Sequence, residues 1–293
     1  MTTLGFVGLG AMGAPMARNL LRAGYLVHTY ARSADAAEQL RREGAVPADS
    51  PAALAERCDI VHTMVIDTAA VEDVVMGSHG LVHGARPGTV VVDHSTISPS
   101  ATRRLAAQLE TRSISLLDAP VSGGVDGAVN ATLAIMVGGN EDVFERCRTV
   151  LSVLGQRIVY MGPSGAGQVT KACNQIALIV NQLGAAEAML MAERSGVDPA
   201  RVTSALMGGF GASRMLELQA PKMIHRDFTG KVESRLHYKD MLIALQVARE
   251  LGIRLPASAL AAELLGKLQD QGGARQDSAA VFTILEQLPP ERG

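Results

Sequence analysis

The chain has 293 residues, 47% of them hydrophobic, and a formal net charge of -2 at pH 7. Domains average roughly 150 residues, so this length favours two domains. A charge so close to zero excludes the basic stripe that binding to nucleic acid or an anionic membrane requires, and we expect a small-molecule ligand instead.

The cysteines and the apolar runs indicate the expected cellular location of the protein. Cys58, Cys147 and Cys173 lie far apart without CxxC spacing, which predicts reduced thiols and neither a disulfide framework nor a metal site. The first residues, MTTLGFVGLG, lack the basic region and long apolar run of a signal peptide. Polar residues interrupt the longest apolar stretch, 177–192. We therefore expect no membrane span and a cytoplasmic location.

In chain order, the first half alternates short β-branched runs with helical patterns, which is typical of βαβ units and a parallel sheet. Predicted strands cover residues 4–7, 25–30, 59–65, 89–93 and 113–117, and two further runs, 131–137 and 157–160, extend the sheet. Because the run Thr89-Val90-Val91-Val92 does not alternate with polar residues, we expect helices on both faces of the sheet.

The second half reads as helical. After residues 162–165, Ala, Leu, Met and Glu recur at helical spacing, which predicts a long helix over about 168–195 and shorter helices at 199–207, 238–251 and 257–271. We predict an α/β domain over residues 1–163 and an all-helical domain over 164–293. Such an apolar helical half also indicates a surface covered by another subunit.

A glycine-rich segment separates the first predicted strand from the amphipathic segment 14–21. The GxGxxG spacing alone is weak evidence, because a tight turn after a strand explains it too. Between a strand and a helix, however, the first glycine permits the turn, the second lets a pyrophosphate approach, and the third allows close packing. The helix N-terminus then attracts phosphate. We interpret the segment as a Rossmann-type dinucleotide-binding loop made of Gly8, Leu9, Gly10, Ala11, Met12 and Gly13.

The end of the second strand indicates which nicotinamide cofactor is used. A carboxylate there binds the 2′-OH of NAD, but the sequence reads Ala31-Arg32-Ser33, with no carboxylate before Asp35. Arg32 offers a guanidinium fork and Ser33 a hydroxyl to a 2′-phosphate. The alternative for Arg32 is a solvated strand-end residue. The pattern favours NADP, with NAD as the alternative.

Ligands of open α/β sheets bind beyond the carboxyl ends of the strands, where two loops are unusual. In Asp93-His94-Ser95-Thr96 the hydroxyls suit a position facing the nicotinamide. In the loop 118–124, Ser122 is followed by two glycines, which expose N–H groups to a carboxylate. Plain turn chemistry is the alternative for both loops.

The long helix carries a polar stripe on an otherwise apolar surface. At about 100° per residue its members share an arc of roughly 140°, which predicts that the stripe faces a wet cavity. The stripe comprises Gln168, Lys171, Asn174, Gln175, Asn181 and Gln182. A partly desolvated lysine near a cofactor can act as a general acid, and the alternative is a structural lysine. His94, His225 and His237 are more typical of surface or packed histidines than of catalysts.

Six blocks together resemble the β-hydroxyacid dehydrogenases, the family of 3-hydroxyisobutyrate dehydrogenase and tartronate semialdehyde reductase. The similarity runs along essentially the whole chain, and its blocks read GFVGLGAMGAPMARNL, DHSTISP, LDAPVSGG, MVGG, GAGQVTKACNQ and LHYKDM. The resemblance implies a Rossmann domain joined by a long helix to an all-helical domain. That second domain also builds the subunit interface of a homodimer or homotetramer.

The resemblance also implies roles for individual residues. Lys171 is the implied catalytic residue, which protonates the carbonyl oxygen on reduction and accepts the proton on oxidation. The substrate carboxylate is held by Ser122, Gly123 and Gly124. Further substrate positions are Asn174, Gln175 and Asp240. Cofactor positions beyond the glycine loop and residues 31–33 are Met64, Val65, Thr96 and Lys239.

Two departures refine the resemblance. Gln175 stands where 3-hydroxyisobutyrate dehydrogenases have a second asparagine, and the tartronate semialdehyde reductases look like this chain there. The stretches 208–213 and 220–228, and Leu236-His237, resemble the same branch. Ala31 stands where many of those reductases carry an aspartate, and its presence strengthens the expectation of NADP.

Reduction of a small 3-oxo acid, with tartronate semialdehyde as the best candidate, is therefore the leading hypothesis. A 3-hydroxyisobutyrate, other hydroxymethyl acid or sulfonate dehydrogenase is the alternative within the same class. An imine reductase is disfavoured because those enzymes usually replace the lysine at position 171. A cofactor-binding scaffold without catalysis is disfavoured by Lys171, the Ser122 loop and the Lys239-Asp240 pair.

Overall fold

The computed structural model describes residues 2–230 and 232–289. The chain divides into two compact units, residues 1–171 and 172–293. The division falls inside a long helix, whereas the predicted domain boundary, 163/164, lies just before that helix and stays a prediction.

The first unit is built on one sheet, which has nine strands within the described residues. They are β1 (Thr3–Val7), β2 (Leu26–Tyr30), β3 (Val46–Pro47), β4 (Ile60–Thr63), β5 (Val90–Asp93), β6 (Ser115–Asp118), β7 (Val121–Ser122), β8 (Leu133–Gly138) and β9 (Gly155–Gly162). The spatial order is β3-β2-β1-β4-β5-β6-β8-β7, with β9 beside β8. Strands β1 and β4 adjoin where the winding direction reverses, which is where such sheets bind ligands.

The sheet is largely parallel, as predicted, and its antiparallel pairings are those that β8 makes with two neighbouring strands. Strands β1 to β6 pair in parallel. Strand β8 runs antiparallel to β6 and to β7. The connection from β6 to β8 contains β7 and the short helix Gly124–Val129, and β7 itself pairs antiparallel with β8.

Helices cover both faces of this sheet, as the unbroken apolar runs predicted. They are α1 (Gly13–Arg22), α2 (Ala34–Arg42), α3 (Pro51–Ala55), α4 (Thr68–Met76), α5 (Pro99–Glu110), α6 (Gly124–Val129) and α7 (Glu141–Leu151). In β5, Val90 and Val92 pack into one core and Val91 into the other, because successive side chains of a strand point to opposite faces.

The second unit is helical, as predicted. Its helices, the first of which starts in the first unit, are α8 (Ala166–Arg194), α9 (Pro199–Met207), α10 (Arg214–His225), α11 (Ser234–Glu250), α12 (Pro256–Asp270) and α13 (Val281–Glu286). Helix α8 is long and apolar enough to cross a membrane, judged by its length and composition alone. It is a core helix, since Ile179, Leu183 and Met189 pack in the apolar core of this unit.

Helix α10 was not predicted, and α11 begins four residues earlier than expected. The glycines at 208, 209 and 211 and the proline at 221 argue locally against a helix. Ser213 nevertheless starts α10, because its hydroxyl accepts a hydrogen bond from the N–H of Leu216 at 3.0 Å. Leu216 and Met223 then bury their side chains in the core.

Candidate active site

The three glycines of the loop after β1 have different reasons to lack a side chain. Gly8 has a φ of 96°, and a Cβ there would lie 2.2 Å from the carbonyl oxygen of Met64. A Cβ on Gly13 would lie 1.9 Å from the carbonyl oxygen of Gly8. A Cβ on Gly10 would meet nothing within 4 Å in the described part of the chain. The first and third glycines therefore serve the protein's own packing, and Gly10 keeps open a place for an outside group.

The residues present fit the pyrophosphate of a dinucleotide. Helix α1 starts at Gly13, and the side chain of its N-cap residue, Met12, makes no capping hydrogen bond. Helix N-terminal N–H groups attract phosphate oxygens, and the opening at Gly10 lets the phosphates approach the backbone. The loop has the shape and the donors that this cofactor needs.

Hydrogen bonds tie the neighbouring loops to the glycine loop. The N–H of Gly8 donates to the carbonyl of Tyr30 at 3.0 Å, and that of Met64 to the carbonyl of Val7 at 2.9 Å. The N–H of Val65 donates to the Ser95 hydroxyl at 2.9 Å. The loops after β1, β4 and β5 therefore form one edge.

The other predicted cofactor residues of this unit differ in exposure. Met64, Val65 and Thr96 are half-buried, whereas Ser95 is buried. Arg32 and Ser33 follow β2 and are exposed, with Ser33 as the N-cap residue of α2. The Ser95 hydroxyl is engaged by a backbone N–H, which makes it a structural residue of this edge.

Two buried carboxylates lie at the ends of adjacent strands. Asp93 of β5 and Asp118 of β6 are register partners, and burial raises the pKa of each to about 6. Asp93 accepts hydrogen bonds from the Thr63 hydroxyl at 2.7 Å and from the Ser95 N–H at 3.1 Å. Asp93 therefore links the ends of β4 and β5.

Asp118 holds the start of the long helix. Its carboxylate accepts hydrogen bonds from the N–H of Gly165 at 2.8 Å and from the N–H of Gln168 at 2.9 Å. A Cβ on Gly138 would lie 2.6 Å from this carboxylate, and one on Gly167 would lie 2.9 Å from it. The blocks LDAPVSGG, MVGG and GAGQVTKACNQ thus meet at one side chain.

The side chain of Gln168 adds a second attachment. Its Oε1 accepts from the N–H of Ile97 at 3.1 Å, and its Nε2 donates to the carbonyl of Ser95 at 2.7 Å. Gln168 is buried, so both bonds are shielded from water. The first turn of α8 is therefore attached to the ends of both β5 and β6.

Lys171, one turn further along α8, is buried and reaches the loop after β6. Its Nζ donates a hydrogen bond to the carbonyl of Val121 at 2.8 Å. The next residues are half-buried Ser122 and exposed Gly123 and Gly124, whose φ angles are 136° and 62°. The ammonium thus lies beside the loop that was predicted to bind a carboxylate.

Two buried histidines brace that loop at its start. The Nδ1 of His94 donates to the carbonyl of Ala119 at 2.9 Å, and the two histidines are joined between His62 Nδ1 and His94 Nε2 at 2.9 Å. Burial lowers the pKa of His94 to about 4 and that of His62 well below its usual value. Both rings are therefore neutral at pH 7, so His62 is the donor to His94.

The second unit brings four of the predicted site residues together, three of them through hydrogen bonds and the fourth through an ion pair. The Nδ2 of Asn174 donates to Gln175 Oε1 at 2.7 Å, and Gln175 Nε2 donates to Asp240 Oδ2 at 2.5 Å. The Nζ of Lys239 lies 3.0 Å from Asp240 Oδ1. Gln175 and Asp240 are buried.

The polar stripe of α8 is not uniform. Gln182 exchanges hydrogen bonds with the hydroxyl and carbonyl of Ser278 inside the second unit, so it is a packing residue. Asn181 is exposed. His237 is buried on α11, and His225 is exposed.

Across residues 2–230 and 232–289, no group of three or more His, Cys, Asp or Glu side chains is placed to hold a metal. Burial raises the pKa of Cys58 to about 12 and that of Cys147 to about 11, so both thiols stay protonated. Cys173 is exposed.

Sequence reasoning missed four residues that shape the site. Asp118 and Gln168 were seen only as a loop member and a stripe member, and Ser95 was taken for a cofactor-facing hydroxyl. His62 was not singled out. Of these four residues, only Asp118 had a sequence signal: a carboxylate at the end of a buried strand is expected to need hydrogen-bond donors.

A doubly wound sheet with a glycine loop at its switch point and a buried lysine beside the loop after β6 is typical of nicotinamide-dependent oxidoreductases. Family models agree with this class. Residues 3–162 match the model for the NAD binding domain of 6-phosphogluconate dehydrogenase, and residues 165–285 match the model described as NAD-binding of NADP-dependent 3-hydroxyisobutyrate dehydrogenase.

Relatives define the family further. The chain is 43% identical to a 2-hydroxy-3-oxopropionate reductase of Escherichia coli, over 97% of each chain. It is 36% identical to a 2-(hydroxymethyl)glutarate dehydrogenase of Eubacterium barkeri, over 97% of this chain and 95% of that one. A 3-hydroxyisobutyrate dehydrogenase structure from Mycobacterium tuberculosis superposes with a TM-score of 0.88 at 35% identity, over 97% and 99% of the two chains. The chain belongs to the 3-hydroxyisobutyrate dehydrogenase-like family of NAD(P)-dependent 3-hydroxyacid dehydrogenases.

Two glycine variants separate cofactor binding from folding. We expect Gly10→Ala to keep the wild-type melting temperature and to weaken NADPH binding by about tenfold, because the methyl group occupies the approach to the backbone. Gly13→Ala should instead lose about 2 kcal/mol of stability through its clash with Gly8. Thermal unfolding and fluorescence titration with NADPH measure both effects. Unchanged NADPH affinity in Gly10→Ala would contradict the assignment of the loop.

Proposed function

We propose that the chain reduces a small 3-oxo acid to its hydroxy acid with NADPH, and that tartronate semialdehyde is the substrate. The observation that carries this proposal is the 2.8 Å hydrogen bond from Lys171 to the carbonyl of Val121, directly before Ser122. It supports a cationic proton donor next to a carboxylate-binding loop. A 3-oxo acid has a carboxylate and a reducible carbonyl a short distance apart, which matches that pairing.

The chain's own residues hold the substrate and move a proton. Ser122 and the N–H groups of Gly123 and Gly124 bind the carboxylate, which fixes the aldehyde near Lys171. NADPH, when bound, supplies the hydride that the aldehyde carbon gains. Lys171 donates a proton to the carbonyl oxygen, which becomes the hydroxyl of the product. In the oxidation direction, the neutral amine of Lys171 takes that proton back.

The remaining site residues are assigned as the sequence resemblance implies. Asn174 binds substrate, and Gln175 and Asp240 belong to the substrate side of the site. The cofactor is bound by the glycine loop and by Met64, Val65, Thr96 and Lys239. Preference for NADP is supported by exposed Arg32 and Ser33 after β2 and by the absence of a carboxylate before Asp35.

A second candidate substrate is supported by one of the relatives. The 36% identical relative from Eubacterium barkeri is a dehydrogenase of 2-(hydroxymethyl)glutarate, which is also a hydroxymethyl acid. A 3-hydroxyisobutyrate-type substrate is therefore the second candidate. Lys171, buried beside the loop, argues against an imine reductase or a scaffold without catalysis.

We also propose a cytoplasmic homodimer or homotetramer. Several large apolar side chains of the second unit are exposed, and Phe210 is fully so. Exposed apolar groups of this size favour a subunit interface.

One plate of assays tests the substrate and cofactor proposals together. NADPH and NADH oxidation is measured with tartronate semialdehyde, methylmalonate semialdehyde, succinic semialdehyde and glyoxylate. We expect the highest kcat/KM for tartronate semialdehyde with NADPH. Activity confined to methylmalonate semialdehyde would replace the first candidate by the second, and a preference for NADH would overturn the role of Arg32.

The role of Lys171 is tested by Lys171→Ala. We expect kcat to fall by roughly 10² to 10⁴, because a positioned general acid contributes about that much. The Kd for NADPH should stay within about twofold of the wild type, since the glycine loop is untouched. Near wild-type turnover in a folded Lys171→Ala protein would show that another group donates the proton.

A further inference from the structure

Gln175 has both ends of its amide engaged inside the second unit. Its Nε2 donates to Asp240, and its Oε1 accepts from Asn174. The bond to Asp240 is buried and therefore shielded from water, whereas the bond to Asn174 is partly buried. The side chain of Gln175 is held at two points.

Chemistry fixes the direction of this chain of hydrogen bonds. Asp240 has Lys239 Nζ 3.0 Å from one oxygen, and an ionised carboxylate only accepts hydrogen bonds. The arm of Gln175 that faces Asp240 must therefore be its NH₂ group, and the opposite arm is a carbonyl oxygen. That oxygen only accepts, so Asn174 must turn its own NH₂ group toward Gln175 and its Oδ1 the other way.

We propose that Gln175 is a positioning residue that makes Asn174 meet the substrate with an acceptor oxygen, and thereby selects a 3-oxo acid that carries a donor hydroxyl at carbon 2. This inference rests on the proposed function, in which Asn174 binds substrate. It narrows the roles of Gln175 and Asp240 from substrate contact to orientation of Asn174. A substrate with a methyl group at carbon 2 has no donor for that oxygen.

Side-chain length matters for this role. Gln175 spans the distance between Asp240 and its own helix neighbour Asn174, whereas asparagine is one methylene shorter. In Gln175→Asn the link to Asp240 is broken, and the amide of Asn174 loses its enforced orientation. The specificity then falls while Lys171 keeps its hydrogen bond to Val121.

The test compares two substrates in wild type, Gln175→Asn, Gln175→Leu and Gln175→Glu. The substrates are a 2-hydroxy-3-oxo acid and its 2-methyl analogue, each with saturating NADPH. We expect the ratio of their kcat/KM values to fall about tenfold in Gln175→Asn and Gln175→Leu, mainly through KM for the 2-hydroxy compound, because one neutral hydrogen bond is lost. Asn181→Ala, an exposed amide of the same helix, is the matched control and should keep the wild-type ratio.

Gln175→Glu adds a measurement, the pH dependence of the kcat/KM ratio, that would not change if Gln175 served only for packing. A carboxylate at position 175 faces Asp240 with like charge, but a protonated carboxyl donates to Asp240 and still accepts from Asn174. Lowering the pH should therefore restore the ratio in Gln175→Glu and leave it unchanged in Gln175→Leu. The two helices carry other titratable groups, which are common to all the variants and cancel in the comparison. Those within one turn of Gln175 or Asp240 along the chain are Lys171, Cys173, His237, Tyr238 and Lys239.

The outcomes separate this inference from the proposed function. If the wild type reduces neither substrate, the proposed function fails. If the wild type prefers the 2-hydroxy compound and folded Gln175 variants keep the same ratio, the orientation of Asn174 by Gln175 is wrong. A ratio in Gln175→Glu that is lowered equally at every pH would also overturn the inference, because it would indicate a packing defect.

Discussion

The attachment of α8 to the sheet through Asp118 is the constraint on which the site depends. The carboxylate lies at the end of β6 and accepts two N–H groups from the first residues of the helix that carries Lys171. Burial raises the pKa of Asp118 to about 6, so keeping this carboxylate ionised at neutral pH costs free energy of folding. Without it, two helix N–H groups would be left buried and unpaired, at about 1–3 kcal/mol each. Lys171 would also lose its fixed distance from the Ser122 loop.

Much of the fold follows from patterns that are local in sequence. Unbroken apolar runs such as residues 89–92 predict strands that are buried on both faces, and the glycine loop predicts a strand–turn–helix unit. The run 131–137 predicted strand β8, but its antiparallel direction was not predicted, because pairing direction depends on the connection, which no single run of residues encodes. Helix α10 was missed because Ser213 and a set of core contacts outweigh three glycines and one proline.

The site was predictable in its types of residue and less so in its contacts. Lys171 and Ser122 stood out by chemistry and by family resemblance. The Asp118 attachment joins residues 47 and 50 positions apart, and the His62–His94 pair joins residues 32 positions apart. Such links depend on strand order rather than on local pattern. Gly138 and Gly167 show the same limit, because a Cβ on Gly138 would meet the Asp118 carboxylate and one on Gly167 would meet the carbonyl oxygens of Met136 and Asp118.

The most direct measurement is kcat of Asp118→Ala and Asp118→Asn at saturating NADPH and 3-oxo acid, with Kd for NADPH measured alongside. The account predicts a loss of about 100-fold in Asp118→Ala, since a displacement of about 1 Å at Lys171, the proposed proton donor, is enough for that. Asp118→Asn, which keeps one acceptor oxygen, should lose less, and Kd should stay within about twofold in both. Wild-type kcat in a folded Asp118→Ala protein would contradict the claim that this carboxylate positions Lys171.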